Sequence, residues 1–127
     1  MLSWLRREIK LGRWEGQEFK TVKNEDPQAL QAWIDDPVKK PPPGGEGLAE
    51  FQNRVISAFN EILAEKYERT AVVSHGGVIR VYLVYILDMP LVNYQMLSPS
   101  NTGVTKITFN NGSPSLRFFN CTHHLKD

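Results

Sequence analysis

The segment TAVVSHGGVIRVYLVYIL is the feature that most constrains how this chain can fold. Its β-prone run, Thr70–Val73, predicts a short strand, and the glycines that end Ser74–Gly77 predict a tight turn. The apolar run Val78–Leu87 has the length and composition of a core helix. A strand, a turn and a helix in this order are typical of α/β domains, which bind ligands beyond the carboxyl ends of their strands. The sequence therefore predicts an α/β fold with a candidate binding site at the turn.

Other segments predict two more helices and a loop between them. Asp26 followed by Pro27 predicts a helix that the Asp26 side chain caps, and Asp35–Pro37 end it. The proline-rich stretch VKKPPPGG predicts an exposed loop. After Glu46, apolar residues recur every three or four positions and predict a long helix. These residues are Leu48, Phe51, Val55, Phe59 and Ile62.

The C-terminal part of the chain carries the signature of a β-hairpin. The segments VTKITF and SLRFFN both alternate apolar and polar residues, and Asn110–Gly112 supply a turn between them. Cys121 follows as a small apolar residue of the last strand. We therefore expect an α/β domain that ends in a hairpin.

Size, charge and cysteine content exclude several classes of function. The chain has 127 residues, which predicts a single domain over residues 1–127. Its net charge of +1 argues against a nucleic acid or an anionic membrane surface as partner. The longest apolar stretch, Val78–Leu87, has about half the length of a bilayer span and includes Arg80. Cys121 is the only cysteine, which fits a reducing compartment, so we expect a cytoplasmic protein.

His75 and Gly76 are the first candidates for a functional site. A glycine at the start of a helix lets an anion approach the backbone N–H groups, and the helix dipole favours negative charge there. His75 would add a hydrogen-bond donor or a proton-transfer group. The alternative is that the glycines only form a tight turn and His75 caps the helix. Residue chemistry alone leaves both alternatives open.

Three glutamates are further candidates. Glu8 and Glu15 lie on either side of a glycine and near Trp14, where a carboxylate could act as a general acid or could simply be solvated. Glu46 follows two glycines and could instead be a first-turn carboxylate of the long helix. His123 and His124 are adjacent, and no acidic or cysteine cluster completes a metal site around them. The sequence implies no metal and no other cofactor.

Four motifs in order resemble the histidine phosphatase superfamily, and its phosphoglycerate mutase-like branch in particular. They are LRREIKLGRWEG, PPGGEGLAEFQNRV, AVVSHGGVIR and SNTGVTKITF, and the resemblance runs from about Leu5 to Phe119. It implies the three-layer α/β fold of that family. It also implies that His75 and Gly76 bind phosphate, that Glu8 donates the proton to the leaving group, and that Glu15 and Glu46 are structural or substrate-facing.

The chain departs from the family at its beginning. Members of the family start with a strand that ends in an Arg-His-Gly triplet, whose histidine is the nucleophile, and no such triplet occurs here. The resemblance therefore implies a domain truncated at its N-terminus. It leaves open whether the chain by itself is an enzyme.

The resemblance implies a phosphatase or phosphomutase that acts on small phosphorylated metabolites, of the sugar phosphate or α-ribazole phosphate class. Because the nucleophile is missing, we expect the chain alone to be inactive. The alternative is a non-catalytic module that binds an anion or itself. A strand that lacks its neighbour leaves an exposed sheet edge, so we expect a homo-oligomer.

Overall fold

The structure is a computed structural model, and it describes residues 7–126. Within that range the helices are α1 (Phe19–Glu25), α2 (Pro27–Asp35), α3 (Leu48–Ala64) and α4 (Gly76–Ile86). Two strands follow, β1 (Val104–Asn110) and β2 (Ser113–Cys121). Short 3-10 turns occur at Gly12–Trp14, Leu91–Met96 and His123–Leu125. The three predicted helices and the hairpin are confirmed, and so is the α/β class.

The main core lies between α3 and α4. Apolar residues at helical spacing on each helix meet there and are at most 3% exposed. They are Leu48, Phe51, Val55, Val78, Val81 and Tyr82. Each such side chain contributes about 1.5–3 kcal/mol when it is fully removed from water. This packing fixes α4, and with it the turn that precedes α4, against the long helix α3.

Tyr82 is the polar member of this core. Its ring stacks on Phe59 with centroids 3.8 Å apart and planes 12° from parallel. Burial raises the pKa of the Tyr82 hydroxyl to about 12, and the nearby Tyr85 adds to the rise. Tyr82 therefore stays neutral over the whole physiological pH range.

A second, smaller core supports the N-terminal segment. Trp14, Val22 and Leu30 are buried together, and the Trp14 and Trp33 rings meet edge to face at 5.9 Å. Trp14 belongs to the 3-10 turn, whereas Val22 lies on α1 and Leu30 on α2. The cluster therefore anchors the turn that follows Glu8 in the chain.

The hairpin predicted from the sequence is present, and its register is irregular between Val104 and Ile107. β1 and β2 are antiparallel, with Asn110 opposite Ser113. Asn111 and Gly112 link them with φ values of 51° and 82°, the left-handed conformation that a tight two-residue turn requires. Ile107 packs against the α3–α4 core. The hairpin is thus attached to the helices through one of its faces.

The predicted strand Thr70–Val73 is wrong. This segment belongs to no sheet within residues 7–126, where β1 and β2 form the sheet. A strand exists only through hydrogen bonds to a neighbouring strand, and the described part of the chain offers none at this position. Val73 is 94% exposed as a result.

Two local predictions also need correction. The VKKPPPGG loop is not wholly exposed, because Pro42 is fully buried and the Pro43 carbonyl accepts a hydrogen bond from the Arg13 N–H at 2.9 Å. Asp26 stands at the N-cap of α2, but its side chain makes no capping hydrogen bond. Pro27 at the first helical position accounts for the start of α2, because its fixed φ suits a helix.

No helix in the described part of the chain is long and apolar enough to cross a membrane.

Candidate functional site

The site is centred on the first turn of α4. The Gly77 N–H donates a hydrogen bond to Oε2 of Glu8 at 3.0 Å, across 69 residues of sequence. A side chain at Gly77 would collide with the Glu8 carboxylate, so this close approach requires glycine. The first-turn N–H groups of a helix have no intrahelical acceptor and carry the positive end of its dipole. Glu8 therefore lies in a position that favours an anion.

His75 stands immediately before this turn, at the N-cap of α4. Its backbone is extended, and its carbonyl accepts the Ile79 N–H at 3.1 Å, which begins the helix. The imidazole is exposed and makes no capping hydrogen bond. His75 thus caps α4 through its backbone and not through its side chain, so both alternatives for the imidazole stay open. The residue is exposed two positions before the Gly77 amide that donates to Glu8.

A loop from the C-terminal part of the chain borders the same turn. A Cβ built on Gly76 would lie 3.7 Å from Cγ of Pro99. Asn120 holds this loop, because its Oδ1 accepts the Ser100 N–H at 2.8 Å and its Nδ2 donates to the Ser100 hydroxyl at 3.1 Å. Gly103 packs directly against the Asn120 side chain. Residues 98–103 thus form a fixed rim next to Gly76.

Glu46 lies away from the α4 turn and is buried. Its carboxylate pairs with Arg54, with Nε to Oε1 at 2.5 Å and Nη2 to Oε2 at 3.0 Å. The same carboxylate accepts the Lys10 N–H at 3.1 Å. Helix α3 begins at Leu48, so Glu46 precedes its first turn and is not the first-turn carboxylate that the sequence offered as an alternative. These contacts are structural in character.

Glu15 closes the turn that follows the Glu8 segment. Its Oε2 accepts the Leu11 N–H at 2.8 Å. Gly12 between them has φ of +58°, and a side chain there would collide with the backbone of the PPPGG loop. The exposed carboxylate of Glu15 therefore hydrogen-bonds within its own turn.

The structure brings the four sequence motifs together. The first and third meet at the Glu8–Gly77 hydrogen bond, and the first and second at the contact of Lys10 with Glu46. Gly76 of the third motif lies next to Pro99, the residue that precedes the fourth. Leu5 and Arg6, at the start of the first motif, lie outside the described residues. His123 and His124 are exposed in the final 3-10 turn. Within residues 7–126 no group of three metal-binding side chains is present.

Sequence reasoning missed Arg54 and Asn120. Arg54 lies between the core residues Phe51 and Val55 on α3, and an arginine so close to an apolar stripe signals a buried partner. The sequence gives less reason to single out Asn120, because asparagine is common in the turns that follow strands. Its φ of 54° shows that the backbone here leaves regular strand geometry.

Sequence comparison places these motifs in a known context. The family model described as "Histidine phosphatase superfamily (branch 1)" matches residues 6–122. The chain is 28% identical over 119 residues to phosphoserine phosphatase 1 of Hydrogenobacter thermophilus, covering 93% of this chain and 56% of that protein. It is 31% identical over 86 residues to the adenosylcobalamin/alpha-ribazole phosphatase of Escherichia coli, covering 65% and 41%.

Comparison with solved structures gives the same result. A phosphoserine phosphatase variant from Entamoeba histolytica, crystallised with phosphoserine, superposes with a TM-score of 0.78 and 27% sequence identity. The match covers 96% of this chain and 62% of that one. The chain thus covers between 41% and 62% of the length of these relatives.

Proposed function

Since this chain belongs to the histidine phosphatase superfamily (branch 1), we propose that its α4 turn binds the phosphoryl group of a small phosphomonoester that is to be hydrolysed. The observation that carries this proposal is the Glu8–Gly77 hydrogen bond beside the exposed His75. A carboxylate bonded to a helix N-terminus whose N-cap residue is a histidine supports the proposal, because phosphoryl transfer uses these kinds of group.

Each site residue has a separate role in this proposal. His75 and the Gly76 N–H donate hydrogen bonds to the phosphoryl oxygens and stabilise the charge that develops on them. Glu8 acts as the general acid that protonates the leaving oxygen, which requires its carboxyl to sit beside the bound phosphoryl group. Glu15 and Glu46 hold the backbone of the Glu8 segment in its conformation. No metal takes part.

The names of the relatives support the substrate class. The matched proteins carry the names phosphoserine phosphatase and alpha-ribazole phosphatase, which both denote phosphomonoesters of small metabolites. We include sugar phosphates in the same class. The proposed setting is the cytoplasm, because the lone Cys121 offers no internal disulfide.

Turnover by the chain alone is not expected. Covalent phosphoryl transfer needs a nucleophile, and the sequence has no Arg-His-Gly triplet. A His75 imidazolium that donates hydrogen bonds has no lone pair with which to attack phosphorus. Hydrolysis of p-nitrophenyl phosphate, phosphoserine and sugar phosphates should therefore stay at the background rate, both in the chain and in His75→Ala. Turnover that His75→Ala abolishes would make His75 a nucleophile and contradict this division of roles.

Anion binding tests the proposed site directly. Titration with inorganic phosphate should move the Gly76 amide resonance in a saturable way, and His75→Ala should weaken the binding. His123→Ala is the matched control, because His123 is exposed in the C-terminal 3-10 turn and should leave binding unchanged. The proposal would fail if the Gly76 resonance did not move at millimolar phosphate.

A second candidate function is self-association, and the exposed Val73 in the β-prone segment Thr70–Val73 favours it. Val73 is 94% exposed in a segment without a strand partner among residues 7–126. Edge pairing between two copies would cover it, which makes a homo-oligomer the expected state. Sedimentation should show an oligomer at tens of micromolar that Val73→Lys weakens, with Lys39→Ala as an exposed control. A monomer at that concentration would contradict this function.

A further inference from the structure

The segment that carries Glu8 is irregular. Residues 8–11 have neither helical nor strand structure, so no backbone ladder within the described chain fixes the direction of the Glu8 side chain. Glu8 uses its own Oε1 to accept the Ile9 N–H at 3.0 Å, while Oε2 accepts the Gly77 N–H. A carboxylate on such a segment needs an external support to stay in one place.

Arg54 on α3 supplies this support. Its Nη1 donates to the Arg7 carbonyl at 2.8 Å, and its Nη2 donates to the Glu8 carbonyl at 2.9 Å. The guanidinium therefore holds the backbone at Glu8 itself and at the residue before it. Because α3 is packed into the main core, these hydrogen bonds attach the irregular segment to a rigid element.

Glu46 completes the attachment on the other side. Its backbone N–H donates to the Lys10 carbonyl at 2.8 Å, and its carboxylate accepts the Lys10 N–H. The Arg54 and Glu46 side chains are only 12% and 5% exposed. A buried ion pair with several further hydrogen bonds has one favourable geometry, because either charge alone would be strongly disfavoured there. Hydrogen bonds to Arg54 and Glu46 thus hold residues 7–10 in place on both sides of Glu8.

We propose that Arg54, paired with Glu46, is the positioning residue that sets the Glu8 carboxylate against the first turn of α4. Arg54 does not reach the Gly77 amide itself and acts through the backbone of Glu8. The inference depends on the proposed function only for the role of Glu8 as the general acid. That Glu8 is held at Gly77 by Arg54 can be tested without any substrate.

The chemistry calls for arginine at this position. The guanidinium is a flat fork whose nitrogens reach a carboxylate and two carbonyls in one fixed arrangement, and it also lies 4.7 Å from the centre of the Phe51 ring. A lysine would keep the positive charge but offers a single flexible ammonium group. Charge alone is therefore not expected to replace Arg54.

The test uses the Gly77 amide resonance of the phosphate-free chain in NMR spectra. A carboxylate that accepts this N–H shifts its resonance, and Glu8→Ala defines the position without that carboxylate. In Arg54→Lys we expect the Gly77 resonance to move most of the way to its Glu8→Ala position, while the amides of the α3–α4 core stay in place. Adding Glu8→Ala to Arg54→Lys should then move it little further.

Gln52→Ala is the matched control. Gln52 also lies on α3 and donates from its side chain to a backbone carbonyl, that of Val81, at 3.0 Å, but it does not touch residues 7–10. It should leave the Gly77 resonance at the wild-type position. An Arg54→Lys protein with a wild-type Gly77 resonance would overturn the inference, because Arg54 would then serve stability alone.

A second variant keeps the test decisive if Arg54→Lys does not fold. Glu46→Gln preserves the shape of the pair and one acceptor oxygen, and it should move Gly77 in the same direction by a smaller amount. Failure of both variants to fold would also overturn the inference, since the pair would then serve the fold as a whole. Loss of phosphate binding in a chain whose Gly77 resonance responds as expected would count against the proposed function only.

Discussion

The two sides of the candidate site are built in opposite ways. On the Glu8 side the backbone is irregular, yet buried side chains from α3 hold it at several atoms. On the His75 side the preceding segment is extended and β-prone, yet Val73 is 94% exposed and the segment joins no sheet within residues 7–126. The irregular side is the better supported one.

The difference shows what fixes a functional side chain in this protein. A strand depends on a neighbour to satisfy its N–H and C=O groups, so β propensity at Thr70–Val73 stabilises nothing without one. The Glu8 segment depends instead on a buried ion pair and on glycine at position 77, both within the described chain. On the His75 side, helix α4 is the element that is held in place, because it packs against α3 in the main core.

The largest expected effect comes from removing the support of the Glu8 side. Arg54→Ala leaves the buried Glu46 carboxylate without its countercharge, and we expect it to lower the free energy of unfolding by about 3 kcal/mol. Urea unfolding measures this. The exposed neighbour Asn53 provides the control, since Asn53→Ala should change stability by no more than about 0.5 kcal/mol. Equal effects of the two substitutions would show that the ion pair is not the support.

A smaller effect on stability is expected at Gly77, where the Glu8 side contacts α4. Gly77→Ala would push the Glu8 carboxylate away and lose a charged hydrogen bond worth about 1.5–3 kcal/mol, of which the helix propensity of alanine offsets up to about 1 kcal/mol. Gly76→Ala is a close control, because a Cβ there makes only ordinary contact with Pro99. It should be neutral or stabilising by up to about 1 kcal/mol from helix propensity.

A double variant checks the cause of the Gly77→Ala effect. Because the collision is with Glu8, Gly77→Ala should cost much less in a Glu8→Ala background. If Gly77→Ala lowered stability as much in the Glu8→Ala background as in the wild type, the new side chain would not collide with Glu8. The Glu8 and His75 sides of the site would then not be in contact at Gly77.

The last expected effect is absent at neutral pH and concerns the core behind the His75 side. Burial raises the pKa of Tyr82 to about 12, whereas in the unfolded chain it titrates near its ordinary value of 10.0. Above pH 10 the unfolded state therefore binds fewer protons than the folded state, so stability falls as the pH rises toward 12. Tyr82→Phe removes this contribution.

Denaturant unfolding as a function of pH measures the Tyr82 contribution. The stability difference between wild type and Tyr82→Phe should be constant below pH 10 and shift above it in favour of the variant. A difference that stays constant to pH 12 would mean that the folded Tyr82 titrates as in the unfolded chain.

Local patterns were sufficient to predict α2, α3, α4 and the hairpin, whereas α1 was not predicted. The spacing of Leu48, Phe51 and Val55 predicted α3, and the Asn-Gly turn predicted the hairpin, because each element is specified by residues near in sequence. Local residues could not decide whether Thr70–Val73 forms a strand, since a strand forms only when a second segment hydrogen-bonds to it. The buried Pro42 was missed because its burial depends on a turn some 30 residues earlier in the chain.

Part of the site could also be anticipated from the sequence. The turn at Gly76 and Gly77 made an anion site one of two alternatives, and Glu8 was one of three candidate glutamates, to which the family resemblance gave a specific role. Neither pattern indicated that Glu8 and Gly77 touch, and no pattern singled out Arg54. These contacts span 46 and 69 residues of sequence, so they exist only after α3 and α4 have packed.

The most direct test of a single site shared by Glu8 and His75 is the phosphate affinity of three variants at pH 7. Glu8→Gln removes a negative charge from the α4 turn and should strengthen binding about tenfold, or about 1.4 kcal/mol. His75→Ala should weaken it, and Glu15→Gln should match wild type because Glu15 contacts Leu11 instead. A Glu8→Gln affinity equal to that of Glu15→Gln, with His75→Ala binding as wild type does, would contradict a shared site.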